Sequence, residues 1–184
     1  MNVKGFAFVA TKDATISRFG EERWNDFFER FKESYPFFNQ SILPTSQIPA
    51  EQYLALQDAV VKVFYNGDEK MYWRFGEGAA RTTLSENGPF HIYVKRKREV
   101  KDFIENVLGR IWNMFYDEGS VKYVVEGNIA HLYILDMPIY HVFFEYSTMG
   151  YVQKALEIMG VFVKETIKEK GSAKETHYKF VLDL

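Results

Sequence analysis

The chain has 184 residues, a net charge of −2 at pH 7 and no cysteine. Its length suits a single domain whose hydrophobic core is large enough to fold without disulfides. The weak net charge excludes a global field that would attract nucleic acid or anionic lipid, and the lack of cysteine excludes disulfides, thiolate catalysis and cysteine-bound metal.

Hydropathy gives no sign of a targeting or membrane segment. Residues 1–20 lack an apolar core long enough for a signal peptide, and no stretch approaches the roughly 18 apolar residues of a membrane span. We therefore expect a cytoplasmic protein. The 17 Phe, 12 Tyr and 3 Trp residues predict either a Phe-rich core or an aromatic-lined apolar pocket, and composition leaves both open.

The first residues of the chain predict a strand followed by helices. The apolar run Val3–Ala10 predicts a short strand interrupted at Gly5, and residues 14–19 predict a short helix closed by Gly20. The next helix ends before Pro36 and has one apolar stripe at spacings of three and four, made of Trp24, Phe27, Phe28 and Phe31.

Two further helices are predicted before residue 85. The first begins at Pro49, a residue that suits the first turn of a helix. The second contains Tyr72 and Trp73. Gly76 and Gly78 lie inside this second helix, and their conformational cost there indicates close packing against a neighbour.

The second part of the chain predicts a long helix and then strands. Residues 99–116 repeat apolar side chains at helical spacing over a wide arc, as in a central helix contacted on two sides. A period of two then predicts a hairpin that turns at Gly127-Asn128. This turn pairs Val125 with Ala130 and Tyr123 with Leu132 on an apolar face, and it leaves a polar face with Lys122, His131 and Tyr133.

The remaining residues predict a helix and a second hairpin. Residues 144–159 have helical spacing and end at Gly160, and the hairpin turns at Gly171-Ser172. The fold class is therefore α+β. We predict one domain, 1–184, in which 1–98 form a mainly helical lobe. Residues 99–184 form the central helix and a lobe of two hairpins in an antiparallel sheet with a packed helix.

No pattern in the sequence predicts a catalytic or metal site. The nucleophile elbow, the P-loop and the dinucleotide-binding fingerprint are absent, and none of the four histidines has a close metal-ligand spacing. The histidines are His91, His131, His141 and His177. Glu145 lies between aromatic residues, which predicts either a buried carboxylate or an acidic group near a helix start.

A basic run precedes the central helix. It consists of Lys95, Arg96, Lys97 and Arg98. The run indicates either a patch for phosphate, nucleic acid or an acidic partner, or a solvated helix start. Because the whole chain carries a net negative charge, we do not expect a nucleic-acid-binding protein.

Two stretches of the sequence resemble known domains. Val3–Phe6, together with Phe19–Glu22 and Trp24, resembles the start of heme nitric-oxide-binding-like domains and of a related myxobacterial family of unknown function. Gly150–Gly160, followed by Val163–Thr166, resembles the closing helix and hairpin of four-vinyl-reductase-type domains. The resemblance implies the α+β fold of a superfamily of small-molecule binders and transport-tethering subunits.

The sequence also departs from these families at their ligand-binding positions. Heme-binding members carry a proximal histidine on the helix that corresponds to residues 99–116, where this chain has Val107–Arg110 and no histidine. Leu132–Asp136 lies near the position of their tyrosine-serine-arginine motif, and the cysteines of four-vinyl-reductase-type members are missing. We therefore expect neither heme nor any other cofactor.

We interpret the sequence as a non-enzymatic module that binds an apolar small molecule or acts as a sensor. The expected pocket lies between the helical lobe and the central helix and is lined by Phe27, Trp73, Leu108, Trp112 and Phe115. One alternative is a homodimeric interaction or scaffold module without a ligand, with an apolar patch on the closing helix or at Ile129 and Tyr133. A third interpretation, an unrecognised enzyme, would have to use Glu145 and the histidines.

Overall fold

The computed structural model describes residues 1–95 and 99–184, and these form a mixed helix-and-sheet fold. Its α-helices are α1 (Gly5–Phe19), α2 (Glu21–Ser34), α3 (Ala50–Phe64), α4 (Lys70–Leu84), α5 (His91–Lys95), α6 (Val100–Asp102), α7 (Leu108–Phe115) and α8 (Val142–Ile158). A 3-10 helix spans Pro36–Asn39, and a π-helical segment, Phe103–Val107, joins α6 to α7. The strands are β1 (Asn2–Lys4), β2 (Gln47–Pro49), β3 (Ser120–Glu126), β4 (Ile129–Leu135), β5 (Phe162–Lys170) and β6 (Glu175–Asp183).

The chain divides into two compact units. The first comprises Met1–Met71 and Phe115–Asp117, and the second comprises Tyr72–Met114 and Glu118–Leu184. The second unit therefore contains most of α4 and all of α5, which the sequence assigns to the helical lobe. That residues 1–184 form one domain stays a prediction. In the basic run, Lys95 ends α5, whereas Arg96, Lys97 and Arg98 lie outside the described residues.

The first unit begins with a strand much shorter than the sequence predicts. The predicted strand Val3–Ala10 is wrong, because β1 ends at Lys4 and α1 starts at Gly5. The Gly5 N–H donates to the Ser46 carbonyl at 2.7 Å, and β1 pairs antiparallel with β2, with Val3 opposite Ile48. A Cβ atom at Gly5 would overlap the Leu43 carbonyl oxygen, so glycine allows the close chain contact at this junction.

An aromatic cluster forms the core of the first unit. Trp24 is buried on α2, and its ring contacts Phe8 of α1 at a centroid distance of 6.4 Å. The apolar stripe predicted for α2 is confirmed, since Phe28 and Phe31 both pack on Phe38 of the 3-10 helix. Helix α2 ends at Ser34, before Pro36 as the sequence predicts.

The second unit contains a four-stranded antiparallel sheet with the strand order β3-β4-β6-β5. The register predicted for the first hairpin is confirmed, because Val125 pairs with Ala130 and Tyr123 with Leu132. All four of these side chains are buried. Strand β6 alternates in the same way, so the sheet has one buried face and one outer face.

Helices α4 and α8 cross in the second unit at two glycines. A Cβ atom at Gly76 would overlap the Ser147 carbonyl oxygen, and one at Gly150 would overlap the Trp73 carbonyl oxygen. The close packing predicted from Gly76 is therefore present. The same prediction for Gly78 is wrong, because Gly78 is exposed and its Cβ atom would have no neighbour within 4 Å.

The central helix contains an irregularity that its periodicity does not reveal. The sequence predicts one regular helix over 99–116, but Phe103–Val107 is π-helical between α6 and α7. In this segment the Glu105 carboxylate accepts a hydrogen bond from the Val125 N–H of β3 at 2.8 Å. Within the described residues, no helix has the length and apolar character needed to cross a membrane.

Candidate functional site

The five residues predicted to line a pocket fall in both units. In the first unit, Phe27 is half-buried on α2 and its ring contacts Trp24, Phe31 and Phe64. Phe115, the last residue of α7, packs against Phe6 with their ring centroids 4.6 Å apart and their planes tilted by 54°. Both therefore take part in aromatic packing inside the first unit.

The other three predicted residues lie in the second unit. Leu108 and Trp112 stand four residues apart on α7, directly after the π-helical segment, and both are buried. Trp73 on α4 is half-buried, and its ring contacts Tyr146 of α8 and Phe180 of β6. Leu108 and Trp112 thus share one buried face of the central helix, while Trp73 joins α4 to α8 and the sheet.

Glu145 is the most deeply buried carboxylate among the described residues of the second unit. It lies in the first turn of α8, and only 1% of its surface is exposed. Both interpretations of its sequence context therefore hold, because it is buried and also near the positive end of a helix dipole. Its carboxylate accepts hydrogen bonds from the Tyr140 hydroxyl at 3.0 Å and from the Tyr178 hydroxyl. The Lys168 ammonium lies 2.6 Å away.

The charge on Glu145 changes the titration of its partners. Burial raises the pKa of Tyr178, and the nearby carboxylate raises it further because it favours the neutral hydroxyl. Partial burial opposes the protonated form of Lys168, but the hydrogen bond and charge of Glu145 outweigh this effect and raise the lysine pKa. Lys168 is thus held as a cation over a buried anion.

Two histidines form a pair that the sequence gives no means of predicting. His131 of β4 and His177 of β6 approach each other on the outer face of the sheet, with Nδ1 and Nε2 separated by 3.1 Å. They become neighbours only through the pairing of β4 with β6, a contact between residues 46 positions apart. His91 lies in α5, and His141 caps α8 by accepting a hydrogen bond from the Phe143 N–H.

The structure separates Glu145 from the histidine pair. Glu145 binds Tyr178 and His131 binds His177, and neighbouring residues of a strand point to opposite faces of the sheet. Within residues 1–95 and 99–184, no group of three His, Cys, Asp or Glu side chains is arranged to hold a metal ion.

A shallow groove runs along the first unit between α2 and α3. It has a volume of about 490 Å³ and is open to solvent. Phe31 and Tyr35 stack at a centroid distance of 4.5 Å on one side, and Ala55 and Ala59 form part of the other. This groove does not include any of the five predicted lining residues.

The fold places the chain among known structures. An H-NOX protein from S. oneidensis in an Fe(II)NO ligation state is 12% identical and gives a TM-score of 0.74, with 98% of this chain and 99% of that one covered. An unliganded Fe(II) H-NOX protein from K. algicida is 14% identical and gives a TM-score of 0.69, with 98% and 97% covered. The chain has an H-NOX-like fold.

At the level of sequence this H-NOX-like chain has no match. No family model and no curated protein matches it. The likeness therefore concerns the fold, which the sequence resemblance predicts, and not the residues that bind ligands in the similar structures.

The described residues do not fit the heme of H-NOX proteins. The buried positions of the π-helical segment and α7 have aliphatic and aromatic side chains, and none of these can coordinate iron. They are Phe103, Ile104, Val107, Leu108, Ile111 and Trp112. All four histidines lie on other elements, and the pair on the sheet points away from the buried face.

Proposed function

We propose that this chain is a non-enzymatic module that binds an apolar small molecule, or acts as a sensor of one, without heme. The proposal assigns ligand contact first to Leu108 and Trp112, on the buried face of α7. Ligand contact by Phe27, Trp73 and Phe115 is part of the same proposal. Each of these three rings already packs within its own unit.

The observation that carries the proposal is the π-helical segment Phe103–Val107 in an H-NOX-like fold. Single π-helical turns inside α-helices are energetically poor, and they occur frequently at functional sites. The segment Phe103–Val107 immediately precedes Leu108. Its wider turn rotates the side chains of α7 about the helix axis relative to their positions in a regular α-helix. A buried apolar face at that point suits a fatty chain or a flat ring.

The chemistry of the central helix supports an apolar ligand. H-NOX proteins in the similar structures hold Fe(II), whereas the buried positions of the π-helical segment and α7 here offer aliphatic and aromatic side chains only. Binding would then depend on burial of apolar surface, at roughly 25 cal/mol per Å². A ligand held in this way needs no charged or metal-coordinating residue.

Native mass spectrometry of gently purified protein, with an absorbance scan of the same sample, tests the proposal. We expect a mass above that of the chain, which returns to the chain mass on denaturation. Trp112→Ala and Leu108→Ala should each lower the occupied fraction. Leu56→Ala, which removes an equally buried leucine from α3 in the first unit, is the matched control and should keep the ligand.

A native mass equal to that of the chain alone in every preparation would contradict the proposal, provided that circular dichroism shows that the protein is folded. In that case a dimer mass would favour the alternative of a homodimeric interaction module. Loss of ligand in Leu56→Ala as well as in Leu108→Ala would show that general stability, and not contact at α7, controls occupancy.

A further inference from the structure

The outer face of the sheet carries an imidazole pair that the proposed function does not use. His177 pairs across the strands with Tyr133, and His131 pairs with Lys179, so the two histidines are diagonal neighbours. Their ring centroids are 5.4 Å apart and their planes differ by 24°. The Tyr133 ring stacks on His177 at 4.2 Å, which limits rotation of that imidazole.

The distance between one nitrogen of each ring identifies a hydrogen bond between the two imidazoles. His131 Nδ1 and His177 Nε2 are 3.1 Å apart, which is a normal hydrogen-bond length. A neutral imidazole has one N–H donor and one acceptor nitrogen, whereas an imidazolium has two donors. The bond therefore requires at least one of the two rings to be neutral.

The charged groups around the pair favour one proton and oppose a second. The Glu126 carboxylate of β3 lies 3.8 Å from His131 Nε2, the nitrogen that does not face His177. A proton there gives a charged His131 whose Nδ1–H can donate to a neutral His177. If His177 were protonated as well, both rings would be cations and their N–H groups would face each other.

Other charged neighbours of the pair largely compensate one another. Lys179 forms an ion pair with Glu169 at 2.6 Å, and Lys170 forms one with Glu175 at 3.5 Å. The Lys122 ammonium lies over the Tyr133 ring at 6.0 Å. Glu169 and Glu175 still raise the pKa of His177, but burial, the charge of His131 and Lys179 outweigh them. The contact that the pair does make is a hydrogen bond between two imidazole nitrogens, which requires a proton between them.

We infer that His131 and His177 form a proton-sharing pair that makes the outer face of the sheet respond to pH. One proton is held on His131 and shared through the N–H···N bond. A second proton, on His177, breaks this bond and leaves two cations on neighbouring strands. The electrostatics agree, because burial and the charge of His131 lower the pKa of His177.

Nuclear magnetic resonance of the full chain with labelled histidine tests the inference. At about pH 8 a scalar coupling between His131 Nδ1 and His177 Nε2 should be visible across the hydrogen bond. As the pH falls to about 5, the two rings should titrate in separate steps, and the coupling should disappear with the second step.

Two variants test whether the charge of His131 acts on the titration of His177. His131→Ala should raise the titration midpoint of His177 by roughly half a pH unit or more, since it removes the charge that opposes protonation. His91→Ala, which removes a histidine of α5, should leave that midpoint unchanged. Absence of the coupling in the native chain, or a His177 midpoint that His131→Ala does not move, would each overturn the inference.

Discussion

At the scale of single residues, Glu145 joins separate parts of the second unit through one buried carboxylate. Its partners come from β5, from β6 and from the segment before α8, so three donors, two of them distant in sequence, converge on one carboxylate. A buried anion is costly unless donors satisfy it. Here two hydroxyls and one ammonium do so, and the positive end of α8 adds to their effect.

Replacing this carboxylate should destabilise the protein. In Glu145→Gln the amide offers one acceptor oxygen and adds donors among groups that already donate, so at least one hydroxyl loses its partner. We expect a loss of about 1–3 kcal/mol in the free energy of unfolding, measured by urea denaturation. The loss stays moderate because Lys168 is 43% exposed and can turn to water.

The matched control for this substitution is Glu165→Gln. Glu165 is exposed on the neighbouring strand β5, so the same chemical change should alter stability by less than about 0.5 kcal/mol. Equal effects at positions 145 and 165 would show that the buried cluster contributes nothing specific to stability.

Buried tyrosines predict a loss of stability at alkaline pH. Burial raises the pKa of Tyr53, Tyr123 and Tyr151, and burial with the Glu145 charge raises that of Tyr178. In the unfolded chain these hydroxyls ionise near pH 10. The folded state therefore keeps protons that the unfolded state loses, and stability should fall as pH rises above about 10.

An ultraviolet titration of tyrosinate in native and urea-unfolded protein measures this effect. We expect only part of the 12 tyrosines to ionise in the native protein at about pH 11, and nearly all in the unfolded one. Coincident titration curves for the two states would contradict the prediction. Tyr123→Phe should leave the native curve unchanged and lower the unfolded amplitude.

At the scale of elements, the crossing of α4 and α8 depends on the absence of two side chains. Gly76→Ala places a Cβ atom on the Ser147 carbonyl oxygen, a backbone atom that cannot turn aside. The helices must separate, which we expect to cost about 1–3 kcal/mol or more in thermal or urea unfolding. Gly150→Ala should act in the same way through the Trp73 carbonyl.

Gly78→Ala is the control for this crossing, because it lies two residues further along the same helix. Its Cβ atom would have no neighbour within 4 Å, so alanine should stabilise the helix by up to about 1 kcal/mol. Destabilisation by Gly78→Ala similar to that by Gly76→Ala would mean that the crossing does not explain the effect.

Both edges of the sheet have features that oppose pairing with another chain. Strand β5 has register irregularities between Val163 and Glu165 and again between Lys168 and Lys170. At the other edge, the Glu105 carboxylate already accepts the Val125 N–H of β3. Bulges, lysines and occupied edge groups all hinder strand addition, so a dimer formed through these edges is disfavoured.

Elements could be predicted from the sequence where the pattern was local. The hairpin at Gly127 follows from a two-residue turn with alternating side chains, and its register is confirmed. Val3–Ala10 was ambiguous, because a short apolar run fits a buried strand or a buried helix equally well. The helix forms there since β2, the strand partner of residues 2–4, comes from residues 47–49 and has no more positions to pair.

Features of the candidate site depended instead on contacts distant in sequence. The histidine pair requires the register of β4 against β6, and the Glu145 cluster requires β5 and β6 to lie beside the start of α8. Local periodicity contains no information on either. The π-helical turn escaped prediction for another reason, because the apolar spacing of 99–116 fits a regular helix.

At the scale of the whole molecule, the fold is H-NOX-like although the sequence identity to H-NOX structures is low. Identities of 12% and 14% accompany TM-scores of 0.74 and 0.69 over nearly the full length. Buried periodicity, turns and glycine contacts are enough to specify an architecture, while ligand chemistry depends on a few side chains that can change independently. The buried face of α7 is apolar, and this has a direct spectroscopic consequence.

We predict that the full chain does not bind heme through protein ligands. Expressed with excess heme precursor, it should purify without the Soret band of ligated iron, and hemin added to it should show no change on exposure to nitric oxide beyond that of free hemin. The reason is that the buried face of the central helix, including Leu108 and Trp112, has no group to coordinate iron. The H-NOX protein from S. oneidensis, prepared in parallel, should show both signals. A stoichiometric Soret band in this chain, lost on replacement of one histidine, would contradict the prediction and identify the ligand.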